Sequence, residues 1–130
     1  WLTHGVGVFG AVGLTRSRTT DANGDAVDVP YIPKRFGRAG LTFVHPSRIR
    51  FSVIQNYIGR RFDAPGGVEL KPLWTTDLSA SFETQDRRFL FGFSVLNLFD
   101  RRYDQWAARA QSEAVAGERR TLAASVRVRF

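Results

Sequence analysis

The stretch Phe89 to Tyr103, FLFGFSVLNLFDRRY, decides how this chain folds. Phe89, Phe91, Phe93 and Val95 oppose Gly92 and Ser94, the two-residue period of a strand with one apolar face. The phase blurs over Leu96 to Phe99, where a bulge is expected, and the segment breaks at Asn97-Leu98-Phe99-Asp100 into a basic, aromatic loop. The last residues, Arg119 to Phe130 (RRTLAASVRVRF), repeat the alternation. Leu122, Ala124, Val126, Val128 and Phe130 oppose Thr121, Ala123, Ser125, Arg127 and Arg129. The two runs read as neighbouring antiparallel strands.

Four earlier segments follow the same rule. Over 4–18, Val6, Val8, Val12 and Leu14 share one parity and small or polar residues the other, with Phe9 the exception. Over 35–44, Ala39, Leu41 and Phe43 oppose Gly40 and Thr42. Over 48–60, Ile49, Phe51, Val53 and Tyr57 oppose Arg48, Arg50, Ser52, Asn56 and Arg60. Over 73–83, Trp74, Thr76, Leu78, Ala80 and Phe82 oppose Thr75, Asp77, Ser79, Ser81 and Glu83. With 88–99 and 119–130 this predicts six strands. Long loops are expected at 19–33, 61–72 and 101–117, and tight turns at Pro46-Ser47 and Gln85-Asp86.

No run approaches the roughly 20 apolar residues of a membrane helix, but a barrel strand needs only about 9–11 of alternating polarity. The regular succession of long and short connections matches bacterial outer-membrane barrels, whose periplasmic turns are short and extracellular loops long. Aromatics near strand ends (Tyr57, Trp74, Phe82, Phe99, Tyr103) suit interface girdles. Arg50 and Arg127 fall on the polar parity, which spares them the about 2–4 kcal/mol of facing mid-bilayer lipid. A soluble antiparallel β interaction domain is the competing reading of the alternation. The expected fold class is all-β, an antiparallel transmembrane β-barrel. Because single-chain barrels start at roughly eight strands, the expectation is either the final part of a longer polypeptide or one subunit of a multi-chain wall.

The bulk numbers narrow the function. The formal charge is +7, with 19 Lys and Arg, of which only Lys34 and Lys71 are lysines. Nucleic-acid binding would want these charges on one helix or ribbon; they are dispersed over strands, so no nucleic-acid partner is expected. There is no Cys, hence no disulfide framework or thiolate site. His4 and His45 are the two histidines, far apart in sequence, and are read as surface residues. Asp77 and Glu83 share a face but lie about 20 Å apart along a strand, too far for paired-carboxylate chemistry, and are read as lumen lining. Gly5, Gly7 and Gly10 imitate a phosphate loop without its strand-to-helix unit. No catalytic, metal or cofactor residues are assigned, and the chain is not expected to be an enzyme.

Asn97-Leu98-Phe99-Asp100 with Tyr103 resembles the "NLFD-x-x-Y" stretch near the end of TonB-dependent outer-membrane receptors. Val29 to Lys34 (VPYIPK) resembles that family's "lPyiPkh" approach to an earlier strand. Ala116 to Thr121 resembles its "pGR" entry to the last strand, without the Pro and the immediate Gly-Arg pair. Phe130, supported by Val128 and Val126, matches the terminal aromatic read by the barrel-assembly machinery, although the usual upstream glycine is replaced around Ser125. The resemblance implies the last six strands of a barrel of about 22, uptake of a scarce solute such as a siderophore–iron complex, and a place in the Gram-negative outer membrane. The partners implied are lipid and lipopolysaccharide, the rest of the barrel and its plug, and an inner-membrane energy-coupling protein. An exopolysaccharide export porin with periplasmic helical repeats is the alternative. Asn97, Leu98, Phe99, Asp100 and Tyr103 are expected to be structural. Arg101, Arg102, Trp106 and Arg109 are the candidate loop contacts to an anionic ligand or lipopolysaccharide phosphate, since Arg binds phosphate bidentately.

Overall fold

The computed structural model describes residues 5–64, 67–105 and 115–130. In chain order the strands are β1 (Gly5–Leu14), β2 (Arg18–Thr20), β3 (Ala26–Asp28), β4 (Arg35–Val44), β5 (Ile49–Ile58), β6 (Arg61–Phe62), β7 (Glu69–Leu70), β8 (Leu73–Glu83), β9 (Phe89–Leu96), β10 (Asp104–Gln105), β11 (Val115–Ala116) and β12 (Thr121–Val128). The six long strands form one antiparallel sheet in the order β1-β4-β5-β8-β9-β12. β4 and β8 cover the predicted spans, and the other four are shorter than the alternation alone predicts. The surplus goes into the loops, each of which carries a two-stranded ladder: β2–β3, β6–β7 and β10–β11.

Register turns the alternation into two chemically distinct faces. Val8, Leu41, Val53, Leu78, Val95 and Leu122 stand opposite one another in one row across all six strands. Val6, Phe43, Phe51, Ala80, Phe93 and Ala124 form the next. On the reverse face the corresponding row is Gly7, Thr42, Ser52, Ser79, Ser94 and Ala123, with the Thr42 and Ser52 hydroxyls 3.0 Å apart. A one-residue slip in any ladder would exchange the faces, so the register is fixed by the medium on the apolar side.

That apolar face is bare. Val8 is 76% exposed and Leu14 78%, and among the described residues only Leu73, Val95, Thr76 and Asn97, with the glycines Gly59 and Gly117, are buried. A water-soluble sheet covers such a face with a second layer, whereas lipid covers it without one. Away from the hairpin end, where Arg35 begins β4, two polar side chains sit on the apolar parity, Gln55 and Thr76. They are cross-strand neighbours, and the Thr76 hydroxyl donates to Gln55 Oε1 at 2.6 Å. Phe9, the exception in β1, faces the other way and lies over Gly40, its cross-strand partner; Phe36 covers Gly13 in the same manner. A Cβ at either glycine would run into the ring.

Both short turns place an arginine in the left-handed region, Arg48 at φ 62° and Arg87 at φ 59°. Arg48 also fastens the two turns together: its guanidinium donates to Thr84 O (2.8 Å) and Gln85 O (2.5 Å), and its carbonyl accepts from Glu83 N (3.2 Å). Arg87 has no such tie, and its turn is closed by Thr84 and Asp86 instead. Glycine removes the steric cost of a positive φ, about 1–2 kcal/mol, and returns about half of it as chain entropy. Arg87→Gly is therefore expected to leave the barrel as stable or up to about 1 kcal/mol more stable. Arg48→Gly should lower stability by about 1 kcal/mol or more, because charged hydrogen bonds are lost. Urea midpoints of the full-length protein refolded in detergent check both.

Candidate functional site

At the end of the sheet that carries the three long hairpins, the mixed face becomes concave. Gly13, Phe36, Ile58 and Leu73 form the last row there, and Ala11, Arg38, Asn56 and Thr75 the row beneath. The hairpin roots supply the rim. In Val29 to Lys34 the chain turns outward at Tyr31 (φ 64°), whose N–H donates to Phe62 O at 2.7 Å, tying the first hairpin to the second. Thr15 N to Lys34 O (2.9 Å) and Gly59 N to Arg35 O (2.8 Å) carry the ladders up to that point. From the third hairpin, Tyr103 lies against Gly117, where a Cβ would meet the ring, and Gly117 N donates to Tyr103 O at 2.7 Å. The result is an open cavity of about 1090 Å³ whose side chains include Tyr31, Phe36, Arg38, Asn56, Arg61 and Tyr103.

Among the described residues its lining holds no carboxylate. Asp77, bonded to the lining residue Asn56, has both oxygens engaged: Oδ2 accepts from Asn56 Nδ2 at 2.8 Å and Oδ1 from Asn97 N at 2.9 Å. Arg38 is exposed on the concave face. The arrangement is positive and aromatic, suited to an anion with flat apolar faces.

The same hydrogen bonds explain the Asn97 motif. The strand does not bulge at Leu96 to Phe99, as the blurred alternation suggests; β9 ends at Leu96 and a tight turn follows, with Asn97 at φ 50° and Asp100 at φ 51°. Asn97 is 5% exposed, and both amide hydrogens and its side-chain oxygen are bonded. Nδ2 donates to Arg101 O (2.9 Å) and Glu118 O (3.1 Å), and Oδ1 accepts from Arg101 N (2.9 Å). It thus clasps both legs of the third hairpin. Leu98 N donates to Thr76 O (2.8 Å), while Phe99 is 66% exposed at the sheet end. Asp100 accepts from Arg119, through Nε at 2.7 Å and the adjacent guanidinium nitrogen, and from Arg120 N at 3.0 Å. Those donors, Arg119 first, hold its carboxyl well below the usual carboxylate range. The contribution of this pair is therefore present at neutral pH and is lost only as pH falls through that lowered value.

The other sequence-derived candidates fall as follows. Arg101 and Arg102 are exposed; Trp106 and Arg109, with His4, lie outside the described residues. Val126 and Val128 are on the apolar face and Phe130 is fully exposed beyond β12. Asp77 is a tie between strands and not merely lumen lining, and Glu83 sits at the opposite end of β8. Arg38 and Asn56 carry no sequence motif; only the register brings them beside Tyr31 and Tyr103.

Comparison with solved structures places this geometry. The chain superposes on the ferric-catecholate import receptor Fiu of E. coli K12 with a TM-score of 0.77 at 20% identity, over 96% of its own length. It superposes on the copper transporter OprC with a TM-score of 0.73 at 17% identity, over 97% of its length. Both are TonB-dependent outer-membrane receptors. The chain shares the fold of a section of the barrel wall in these two receptors. It spans 19% of the Fiu chain and 22% of the OprC chain, as a section of a larger barrel does. No protein-family model and no curated protein matches the sequence. Within that receptor fold, long hairpins at one end and tight turns at the other agree with extracellular loops and periplasmic turns.

Proposed function

We propose that this chain forms six adjacent strands of a TonB-dependent transporter in the Gram-negative outer membrane, importing an anionic metal chelate such as a siderophore–iron complex. The apolar rows meet lipid, the mixed face lines the lumen, and the hairpins receive solute. Energy would come from an inner-membrane protein acting on a plug seated against this face. The observation that carries the substrate class is the acid-free cavity with Arg38 among tyrosine and phenylalanine rings. A copper(I) ion would call on soft sulfur ligands, and this stretch has neither Cys nor Met. Nothing in the cavity supports export of a neutral polysaccharide in preference to uptake.

Arg38 tests the reading. In the full-length receptor, Arg38→Gln is expected to weaken binding of a ferric tris-catecholate about tenfold, the worth of one charge-assisted contact. Binding of a neutral ferric hydroxamate should not change. Equal effects on both chelates, or none on either, would remove the anionic assignment. Isothermal titration of the receptor in detergent supplies both numbers.

A further inference from the structure

Among the described residues of the six long strands and the ladder step beyond β1, the lipid-facing parity carries charge at one end only. Along β1 the outward residues run Val6, Val8, Gly10, Val12, Leu14, and the same parity continues to Arg16 as the ladder extends through Thr15 and Lys34. Arg35 stands opposite Leu14 on the same face. Both arginines are exposed, and neither belongs to an ion pair among the described residues. One row below lie Val12, Gly37, Tyr57 and Trp74, with the Tyr57 and Trp74 rings 4.4 Å apart. At the far end of this face the outward rows are Ile49, Phe82, Phe91 and Val126, then Phe89 and Val128; Arg50 and Arg127 point to the other side. From Trp74 to Phe82 is about 27 Å along the strand, or about 20 Å of membrane thickness at barrel tilt. Arg16 and Arg35 therefore sit just outside the aromatic girdle, on the hairpin side alone.

A cation there meets headgroups instead of hydrocarbon, and the one-sidedness asks for a leaflet richer in anions than its opposite. We infer that Arg16 and Arg35, above the Tyr57–Trp74 pair, hold a phosphate of a phosphorylated glycolipid of the lipid A class in the outer leaflet. The guanidinium fork matches phosphate oxygens bidentately. Beneath Arg35 the outward surface drops at Gly37, Ala39 and Gly10, leaving a shallow strip flanked by Tyr57 and Leu41 along which an acyl chain packs. This puts the lipid site on the wall and not on the third loop, where Arg101 and Arg102 are the sequence candidates.

The inference rests on the membrane-wall reading but not on the transported solute. Full-length receptor, delipidated in detergent, is offered bis-phosphorylated lipid A or the same lipid stripped of phosphate, and retained lipid is measured by native mass spectrometry. Wild type is expected to retain the phosphorylated form. The double variant Arg16→Gln/Arg35→Gln should lose at least tenfold in retention, Arg35→Lys less, and Arg102→Gln nothing. A heat-modifiable gel shift verifies that each variant is folded. Equal retention by wild type and the double variant, or equal retention of the dephosphorylated lipid, would overturn the site. A receptor that never partitions into detergent would instead overturn the membrane reading beneath it.

Discussion

Replacing Asn97 by alanine is expected to lower the stability of the assembled barrel by about 3–4 kcal/mol. The side chain is buried and bonded to Arg101 N, Arg101 O and Glu118 O. Truncation leaves these backbone groups short of partners at about 1–3 kcal/mol each, softened where water enters. A further part, about 1 kcal/mol, comes from φ 50°, which asparagine tolerates and alanine does not. Asn97→Gly should therefore recover about 1 kcal/mol relative to alanine and no more. Asn97→Asp should be no better than alanine, since a carboxylate oxygen would face two carbonyls. Urea unfolding of the full-length protein gives the energies, and protease nicking between 101 and 117 reports whether the hairpin has come loose. A cost below about 1 kcal/mol for alanine would show that Asp100 and Arg119 hold the corner without it.

The two faces were legible from the residues because strand alternation has a period of two, and the observed register joins the apolar positions into continuous rows. What alternation cannot give is which row meets which. Asn56, Asp77 and Asn97 lie about twenty residues apart on successive segments and touch only because β5, β8 and β9 align as they do. For the same reason Asp77 reads from sequence as a lumen carboxylate, and Arg38 as one basic residue among many. The ladders inside the loops escaped because a two-residue strand such as Arg61–Phe62 has no period to detect. They are set by turns, for instance Asp21, whose carboxylate accepts from Asn23 N and Asp25 N at 2.9 Å each. Phe9 looked like a fault in the pattern because its reason, the ring over Gly40, lies on the neighbouring strand. The Asn97 motif carried the family resemblance and still hid its geometry, since a blurred alternation fits a bulge as well as a strand end.

The largest contrast expected from the lipid face comes from one strand. Val8 and Leu14 are on the same side of β1 and equally bare in this chain, at 76% and 78% exposure. In water, arginine at either position would change stability by no more than about 0.5 kcal/mol. In a bilayer their depths differ: Val8 lies in the middle row, whereas Leu14 stands beside Arg35 beyond the Tyr57–Trp74 pair. Val8→Arg is therefore expected to cost about 2–4 kcal/mol and Leu14→Arg about 0–1 kcal/mol. Refolding of the full-length barrel into lipid vesicles, followed by tryptophan fluorescence against guanidinium chloride, measures the pair under identical conditions. A steep difference places Val8 near the midplane and Leu14 at the headgroups. Two equal, small costs would mean that water covers this face, and the membrane wall would have to be abandoned with it.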